Sequence, residues 1–465
     1  MPFFVLPQPQ QFSGGTGGTV FHLTRLLNLK SDNASALAKE ALLTFLSDCF
    51  DIEPLGSGWE HLLLAVDSTA AAPEGYVLTV SENAVTITGG DAAGVFYGVQ
   101  TLKQLLLQGE GDLPAMQIID APHLAYRGLL LDCARCFLPK EDILRCLDAM
   151  ALLKLNRLHW HLTDDQGWRL ELYRNMLLSQ IGGLRAYTGW NHTPHKGYYT
   201  KADVAEILAF AKARHIVVIP EIDMPGHCTA ALAAYPALSC DGKERSVETR
   251  RGVHRETICL GKESTFDTLR SIFDEVLADF PDSPIHIGGD DVSFAHWQNC
   301  PHCQAKLHAL HGNDETALYA AYIDRVARYL KHRQRPVLRW HDAADAAVSE
   351  AAFVEYRANL PDDPTFAIDA ALHLDLPHRK LSLRDVYAHA PQTVYGMEAC
   401  LWTERFTDAR RIYPLLFPRL TAFCERAWSD PQEADFTRFA EKQPLCSLLL
   451  LTVGIDCKTF RHRRG

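Results

Sequence analysis

The sequence of 465 residues contains no run of 18 consecutive apolar residues, so it offers no candidate for a membrane-spanning helix. It also has no excess of basic residues: the formal net charge is −11, which disfavours nucleic acid and anionic membranes as partners. The opening, MPFFVLPQPQQF, has neither a basic segment nor a long apolar one, unlike a secretory signal. These absences predict a cytoplasmic protein that binds neither nucleic acid nor membrane.

Several motifs that carry chemistry in other proteins are missing as well. The sequence has no phosphate-binding loop, no Gly-x-Gly-x-x-Gly fingerprint and no nucleophile elbow. The acids of WHLTDD and HDAAD are not spaced as in a calcium loop. We therefore expect an activity that needs no cofactor.

The 13 cysteines are an odd number and lack the spacing of a disulfide framework, which favours reduced thiols. Cys300-Pro-His-Cys303 is the exception, and two interpretations stay open for it: half of a zinc site, or a redox pair. A structural zinc has four ligands, but no second CxxC lies nearby, and His302 and His308 do not have zinc-finger spacing. We predict no metal site.

The length and a hydrophobic content of 47% are sufficient for two domains. In the first 120 residues, Tyr76–Val80 and Ala84–Thr88 alternate apolar and polar residues around a short turn, which predicts a hairpin. Residues 91–108 have apolar residues at helical spacing. Glycines and a proline in residues 109–114 indicate the start of a connection between two domains. Residues 1–120 are predicted to form a small α/β domain.

From Tyr126 onward, strand-like and helix-like segments alternate. The motifs TKAD (200–203) and STFD (264–267) predict capped helix starts. Eight segments resemble strands: RGLLLDCAR, RLHWHLTDD, HIVVIPEIDMPGH, PIHIGGDD, RPVLRWHD, AAFVEYRA, TFAIDAALHLD and TVYGMEACLWTE. This alternation predicts a (β/α)8 barrel, an α/β fold, over residues 121–440, with residues 441–465 as a C-terminal tail packed on it.

Polar and aromatic residues gather at the carboxyl ends of these predicted strands, the end that carries the active site in such barrels. They are Arg135, Asp164, Asp165, His227, Asp290, Asp291, Trp340, His341, Asp342, Asp375, Trp402 and Glu404. In HIGGDDVSF, Gly288 and Gly289 precede two adjacent acids and are expected to loosen the strand end so that both acids face inward. The pattern predicts an enzyme active site.

Five segments, RGLLLDCAR, LNRLHWHLTDDQGWRLE, IPEIDMPGH, HIGGDDV and EACLWTE, stand in the order and approximate spacing of the family 20 glycoside hydrolases, the β-N-acetylhexosaminidases. The chain resembles this family over nearly its whole length. The resemblance implies an exo-acting, retaining hydrolase that removes terminal GlcNAc or GalNAc without a cofactor. It also implies substrate-assisted catalysis, in which the substrate's acetamido oxygen attacks C1 and forms an oxazolinium intermediate. Expected partners are glycans with a terminal β-linked N-acetylhexosamine, and monomer and homodimer both stay open.

The resemblance further implies roles for individual residues. Asp290 corresponds to the carboxylate that orients the acetamido group, and Asp291 stands at the general-acid position. Asp164 and His227 correspond to a carboxylate–imidazole pair that supports the acid. The positions that bind sugar hydroxyls or form the pocket walls correspond to Arg135, Trp340, Tyr356, His373, Asp375, Trp402 and Glu404.

Three positions depart from the family pattern. The acid is normally Glu, and Asp291 is shorter by one methylene, which retracts the carboxyl by about 1 Å; misplacement of that size lowers a rate on the order of 10²-fold. Tyr356 stands where the family has a third tryptophan, and His373 where it has a tyrosine. Two further hypotheses therefore stay open: a glycan-binding barrel with impaired catalysis, and an introduced Glu-to-Asp change in an active hydrolase.

Four of the site residues also have structural alternatives. Asp291 is suited to capping the helix that follows it, and Arg135 to pairing with Asp132. A lone histidine such as His227 is often a loop residue bonded to backbone, and a tryptophan such as Trp402 is often core.

Overall fold

The computed structural model describes residues 3–59, 61–187, 194–340, 368–373, 382–389, 395–406 and 412–456, with the backbone alone for residues 368–373. Four residues predicted for the rim or the sugar pocket lie outside these ranges, namely His341, Asp342, Tyr356 and Asp375. The predicted strand AAFVEYRA also lies outside them. His373 ends a described strand, but its side chain is not among those described.

The N-terminal part contains a six-stranded sheet, a two-stranded sheet of β2 and β7, and two helices. Its elements are β1 (Gln11–Gly14), β2 (Val20–His22), β3 (Asn28–Ser31), α1 (Ala36–Phe50), β4 (His61–Val66), β5 (Tyr76–Ser81), β6 (Ala84–Gly89), α2 (Ala92–Gln108), β7 (Asp112–Pro114) and β8 (Met116–Asp120). The strand order is β1-β8-β5-β6-β4-β3, and β5 pairs antiparallel with β6. The predicted hairpin is therefore confirmed. Helix α2 begins where the Asp91 carboxylate accepts the N–H of Gly94 at 2.8 Å.

The second part alternates strands and helices and ends in a group of helices. Its elements are β9 (Tyr126–Asp132), α3 (Lys140–Leu152), β10 (Arg157–His161), β11 (Thr163–Asp164), β12 (Gly167–Trp168), α4 (Leu177–Gln180), β13 (Leu184–Arg185), β14 (His195–Lys196), α5 (Lys201–Lys212), β15 (Val217–Glu221), α6 (Thr229–Ala234), α7 (Glu263–Asp279), β16 (Ile285–His286), α8 (Ala295–Gln298), α9 (Pro301–Ala309), α10 (Glu315–His332), β17 (Val337–Leu338), β18 (Ile368–His373), α11 (Leu383–Ala388), β19 (Gly396–Leu401), α12 (Ile412–Leu416), α13 (Arg419–Trp428), α14 (Phe436–Glu441) and α15 (Gln443–Thr452).

Seven of these strands form one parallel sheet in the order β17-β16-β15-β10-β9-β19-β18. Every residue of β9 and of β19 is buried. Burial on both faces explains why these strands read as continuous apolar runs rather than as alternating patterns. The predicted fold class, a (β/α)8-type catalytic barrel preceded by a small α/β domain, is confirmed.

The two predicted helix caps have opposite outcomes. At α5, the Thr200 hydroxyl accepts the N–H of Asp203, and the Asp203 carboxylate accepts the N–H of Thr200 at 3.0 Å, as the capping-box pattern predicts. The cap predicted at Ser264 is wrong. Helix α7 already begins at Glu263, after Lys262, and no side chain caps it.

A group of buried polar side chains joins the small domain to the N-terminal ends of the barrel strands. Asp120 accepts hydrogen bonds from Tyr76 (2.7 Å), Lys154 (2.9 Å) and Trp428 (3.0 Å). A second group pairs Arg127 and Asn156 with Glu74. We call these two groups, Tyr76, Asp120, Lys154 and Trp428 with Glu74, Arg127 and Asn156, the base network.

The C-terminal helix α15 packs Leu445 and Leu449 against Leu152 of α3. Among the helices that the structure describes, none is both long enough and apolar enough to cross a membrane.

Candidate active site

The carboxyl ends of the parallel strands meet at one rim of the barrel, and ionisable side chains cluster there. Five of them form a buried layer that we call the floor network: His159, His161, Glu221, His286 and Glu398. His159 and His161 both face the interior because alternate residues of a strand point the same way.

Glu221 is the centre of the floor network. Its carboxylate is hydrogen-bonded to His161 Nδ1, lies 3.1 Å from His286 Nδ1, and accepts the indole N–H of Trp340 at 2.7 Å. Burial by itself would raise the pKa of Glu221, but the surrounding imidazoles outweigh it and hold the pKa well below its usual range. Burial opposes protonation of His159, yet Glu398 and Glu221 raise its pKa to about 9. Glu221 is therefore a carboxylate and His159 an imidazolium at neutral pH, whereas burial lowers the pKa of His286.

Arg135 connects the end of β9 to the end of β10. Its Nη2 lies 2.6 Å from Asp164 Oδ2, and its Nη1 lies 3.5 Å from Asp132 Oδ2. The Arg135 side chain is nearly buried, and its Nε has no hydrogen-bond partner among the described residues. Burial by itself would raise the pKa of Asp164, but Arg135 outweighs it, and the pKa is well below the usual range. The Arg135 guanidinium thus balances the charge of the buried Asp164 carboxylate. Its Nε–H group can still donate a hydrogen bond to a ligand.

His227 lies between two carboxylates and the predicted acid. Its Nδ1 is 3.4 Å from Asp164 Oδ1 and 3.3 Å from Asp165 Oδ2, while its Nε2 is 3.7 Å from Asp291 Oδ2. Burial would lower the pKa of His227, but Asp164 and Asp165 outweigh it and raise the pKa well above the ordinary value. Asp165 is itself fixed by Thr229, whose N–H donates to it at 3.0 Å. His227 is therefore protonated and positioned by the carboxylates of Asp164 and Asp165, and it is not a loop histidine bonded only to backbone.

Gly288 and Gly289 turn the chain out of strand β16, which ends at His286. Both have left-handed backbones, with φ of +65° and +104°. A Cβ at Gly288 would lie 1.7 Å from the Asp223 carboxylate, so no other residue fits there. The Asp223 carboxylate also accepts the N–H of Gly289 at 3.1 Å. The backbone therefore leaves the strand conformation at these two glycines, as the sequence predicts.

The two adjacent acids have different surroundings. Asp290 Oδ1 is shielded from water and has no hydrogen-bond partner among the described residues. Burial, assisted by the negative charge of Glu221, raises the pKa of Asp290 to about 6 against the opposing effect of His227. Asp291 has a left-handed backbone (φ 53°), and its side chain is 55% exposed. His227 holds the pKa of Asp291 below its ordinary value.

Two tryptophans stand over this floor. The Trp340 and Trp402 rings are 5.9 Å apart at an angle of 52°, and both are partly exposed. The Arg135 guanidinium lies 5.1 Å from the Trp402 ring, so Trp402 is not simply core. Glu404, two residues further on, is also partly exposed. Aromatic faces beside charged hydrogen-bonding groups are typical of sugar sites, because sugars have both C–H faces and hydroxyls.

The structure thus brings several predicted residues to one rim. It also tests the structural alternatives for Asp291 and Arg135. The residues it brings there are Arg135, Asp164, His227, Asp290, Asp291, Trp340, Trp402 and Glu404. Asp291 does not cap the next helix, since α8 begins at Ala295 after Phe294. Arg135 does approach Asp132, but its shorter contact is with Asp164.

Sequence reasoning missed the floor network and Asp223. A signal was present: RLHWHLTDD places His159 and His161 two residues apart within an otherwise apolar strand, and both flank the buried Trp160. Ionisable residues at every second position of a buried strand indicate a polar barrel interior. Asp223 carries no such pattern, and its pKa is raised well above the ordinary value by burial and by the nearby Asp290.

Several trios of these rim residues bring carboxylate and imidazole atoms within 4.8 Å of one another, as metal ligands do. One trio is His159, Glu221 and His286, and another is Asp164, Asp165 and His227. Arg135 and the imidazolium forms of His159, His161 and His227 already compensate these carboxylates, so we assign the trios to the ion-pair network.

Comparisons with known proteins agree with this geometry. The family described as "Glycosyl hydrolase family 20, catalytic domain" matches residues 124–361 and 372–431, and "Glycosyl hydrolase family 20, domain 2" matches residues 3–121. A β-hexosaminidase of Porphyromonas gingivalis is 33% identical in an alignment of 447 positions that covers 87% of this chain; the chain spans 57% of that relative's length.

Solved structures show the same similarity. The β-N-acetylhexosaminidase of Bacteroides fragilis superposes with a TM-score of 0.83 at 27% identity, covering 97% of this chain and 96% of that one. The family 20 exo β-N-acetylglucosaminidase of Vibrio harveyi, solved with N-acetylglucosamine, gives a TM-score of 0.84 at 27% identity, covering 97% and 78%. Both domains and the order of the site residues therefore lead to one conclusion: the chain belongs to glycosyl hydrolase family 20.

Proposed function

We propose that this chain is an exo-acting β-N-acetylhexosaminidase that releases terminal GlcNAc or GalNAc from glycans with retention of configuration. Asp290 carries the proposal: one of its oxygens is shielded from water without a partner among the described residues, and its pKa is raised to about 6. A buried acceptor without a donor is unfavourable. The N–H of a substrate acetamido group is a donor of the required kind.

In the proposed reaction the acetamido oxygen attacks C1, and the bond from C1 to the leaving oxygen breaks as that oxygen takes a proton. Water then attacks C1 of the oxazolinium and restores the acetamido group. Asp290, ionised above about pH 6, accepts the acetamido N–H and balances the positive charge of the oxazolinium. Below that pH Asp290 becomes neutral, so kcat/KM is expected to fall.

Asp291 is proposed as the proton donor to the leaving oxygen. In the open site His227 lowers its pKa, which favours the carboxylate over the acid form. A sugar bound against Asp291 covers the exposed part of its side chain, and removal of water from a carboxyl raises its pKa. Substrate binding thus prepares Asp291 for its role. His227, fixed by Asp164 and Asp165, holds the acid in position.

The remaining rim residues are proposed to bind the sugar. Trp340 and Trp402 form two walls against its C–H faces, while Arg135 and Glu404 bind hydroxyls. Tyr356, His373 and Asp375 keep their predicted places in the pocket as part of this proposal.

Dependence on the acetamido group tests the proposal directly. We expect an aryl β-N-acetylglucosaminide to be hydrolysed orders of magnitude faster than the matching aryl β-glucoside, because only the first carries the internal nucleophile. NMR of the first-formed sugar should show the β-anomer. Equal rates on the two substrates, or an inverted product, would contradict the proposal.

A second candidate function is supported by the exposure and lowered pKa of Asp291: a barrel that binds terminal N-acetylhexosamine but hydrolyses it poorly. A thiazoline mimic of the oxazolinium separates the two candidates. Tight binding with turnover of aryl and natural glycosides supports the hydrolase, whereas tight binding without turnover of either supports the binding protein. The remaining hypothesis is that Asp291 replaces the glutamate of an otherwise active hydrolase. Asp291→Glu should then restore full hydrolytic activity.

A further inference from the structure

Four cysteine thiols from three separate parts of the sequence meet beside the barrel. Their sulfurs all lie within 4.8 Å of one another: Cys240, Cys259, Cys300 and Cys303. Cys259, Cys300 and Cys303 are buried, and Cys240 is partly exposed. We call these residues the thiol cluster.

Three of the six distances between these sulfurs match the edge of a tetrahedron around one metal ion, and all six are within 4.8 Å. Sγ–Sγ distances are 3.6 Å for Cys259 and Cys303, 3.7 Å for Cys259 and Cys300, and 3.8 Å for Cys240 and Cys303. Four sulfurs at the usual Zn–S distance of about 2.3 Å stand about 3.8 Å apart along the edges of a tetrahedron. A disulfide framework would instead pair each sulfur with a single partner, whereas Cys259 and Cys303 each have two neighbouring sulfurs within 3.8 Å.

The backbone around the thiol cluster favours thiolates. The Cys259 sulfur accepts hydrogen bonds from the backbone N–H groups of Gly261 and Lys262. Cys300 precedes helix α9, and Cys303 lies in its first turn, where the helix dipole stabilises negative charge. A thiolate is the form of cysteine that binds metal.

Gly261 allows the two halves of the cluster to meet. A Cβ at this position would lie 2.1 Å from the carbonyl carbon of His302 and 2.3 Å from the nitrogen of Cys303. The loop that carries Cys259 is therefore packed backbone to backbone against the first turn of α9. Both partners are backbone atoms, so only glycine permits this approach.

We propose that Cys240, Cys259, Cys300 and Cys303 bind one structural Zn²⁺ ion. Tetrahedral coordination by four sulfurs is typical of a closed structural zinc site, which leaves no position for water or substrate. The sequence alone predicted no metal because it shows only one CxxC. The fold supplies the second pair from two single cysteines, because the antiparallel bridge between Ser239 and Ile258 holds together the two segments that carry Cys240 and Cys259.

The zinc would fasten both ends of a long irregular loop, residues 241–257, to helix α9. Loops of this length without secondary structure are uncommon in compact domains unless they serve a function. This loop reaches the active site: the N–H of Glu248 donates to the Asp165 carbonyl at 3.1 Å, and the Gln166 amide donates to the Arg250 carbonyl at 3.0 Å. Asp165 also contacts His227. Zinc binding thus stabilises one wall beside the proposed acid catalyst.

Metal content of the full chain tests the proposal without reference to activity. The protein is purified with any histidine tag removed, and elemental analysis by mass spectrometry is expected to give about one zinc per chain. Cys259→Ser and Cys303→Ser should each lose nearly all of it. Two matched controls, Cys49→Ser at an exposed thiol and Cys228→Ser at a buried thiol outside the cluster, should keep it.

If the cluster variants do not fold, titration of the wild-type chain replaces them. A mercurial reagent is added stepwise in the presence of a zinc-sensitive dye, and zinc should appear as the cluster thiols react. Co²⁺ added to the zinc-free chain should give the intense visible absorption of a tetrahedral thiolate site, and Zn²⁺ should abolish it. Removal of zinc should also lower the Tm by roughly 5 °C or more.

Three results would overturn the proposal. The first is wild-type protein with no stoichiometric metal and four reduced cluster thiols. The second is mass-spectrometric detection of disulfides among the four cysteines. The third is iron rather than zinc at this stoichiometry. None of these results depends on whether the chain hydrolyses a glycoside.

Discussion

Two groups of buried charge lie at opposite ends of the same barrel, and they differ in how completely they are paired. In the base network, Asp120 accepts from three side-chain donors, and no buried side-chain atom of this network lacks a hydrogen-bond partner within the described residues. At the rim, Asp290 Oδ1 and Arg135 Nε lack partners among the same residues. Asp290 also has a raised pKa, and Asp291 is more than half exposed.

This difference separates a structural role from a binding role. Complete pairing offsets the desolvation of buried ions and leaves nothing for a ligand to satisfy. Incomplete pairing is unfavourable in the free protein and becomes favourable when a ligand supplies the missing partner. In (β/α)8 barrels the amino-terminal face generally serves stability and the carboxyl-terminal face carries the chemistry.

The largest effect is expected at the base. Lys154→Met leaves the buried Asp120 without its cation, and breaking one side of a buried ion pair costs about 3–5 kcal/mol of unfolding free energy. Thermal denaturation should show a large fall in Tm, while kcat/KM per folded molecule stays unchanged. Lys140→Met, which removes a lysine from the exposed pair with Glu206, is the control and should leave the Tm nearly unchanged. If folded Lys154→Met also lost kcat/KM, the base network would not be purely structural, and the proposed difference between base and rim would be wrong.

The next effect is on catalysis at the rim. Asp290→Asn keeps the shape of the side chain but removes its charge, so the oxazolinium loses its counter-ion. Loss of one electrostatic partner of a transition state lowers kcat by about 10²–10³-fold, or about 3–4 kcal/mol. Steady-state kinetics on an aryl β-N-acetylglucosaminide measures it. Wild-type kcat in Asp290→Asn would show that Asp290 is structural.

A smaller effect is expected from lengthening the other acid. In the wild type, the Asp291 carboxylate lies 3.7 Å from His227 Nε2. Asp291→Glu extends the carboxyl by about 1 Å toward the leaving oxygen of the substrate. Turnover of glycosides with poor leaving groups should rise by up to about 10²-fold, and turnover of activated aryl glycosides should rise less, because they need less protonation. Asp291→Asn should show the opposite bias, with natural disaccharides most affected. Loss of all activity in Asp291→Glu would mean that the pocket is built around the shorter acid.

The smallest effect is on stability at different pH values. The folded pKa of Asp290 is about 6, above the usual aspartate value of 3.8, so its ionisation destabilises the fold increasingly between about pH 4 and pH 6 and fully above pH 6. Asp290→Asn has no charge at this position and should therefore remove this destabilisation. Its Tm should therefore exceed that of the wild type at pH 7.5, and the two should converge near pH 4. A difference in Tm that is the same at both pH values would refute the raised pKa.

Local sequence patterns were sufficient for the architecture. The hairpin of β5 and β6 and the capped start of α5 depend on neighbours within a few residues, and both are present. The barrel followed from alternating strand and helix segments, and the rim residues from their positions at strand ends. Ser264 failed as a cap because Ser-x-x-Asp also occurs inside a helix, and α7 begins one residue earlier, at Glu263.

By itself, therefore, the sequence determined the fold class, the family and the end of the barrel that holds the acids. Only the tertiary structure decided which charges are paired. Arg135 lies closer to Asp164 than to Asp132, one oxygen of Asp290 has no partner among the residues that the structure describes, and Asp291 is more than half exposed. The tertiary structure also brought two single cysteines to a CxxC to form the thiol cluster. Secondary structure depends on contacts a few residues apart, whereas pKa values and ligand sets depend on distances of a few ångströms between segments that are far apart in the chain.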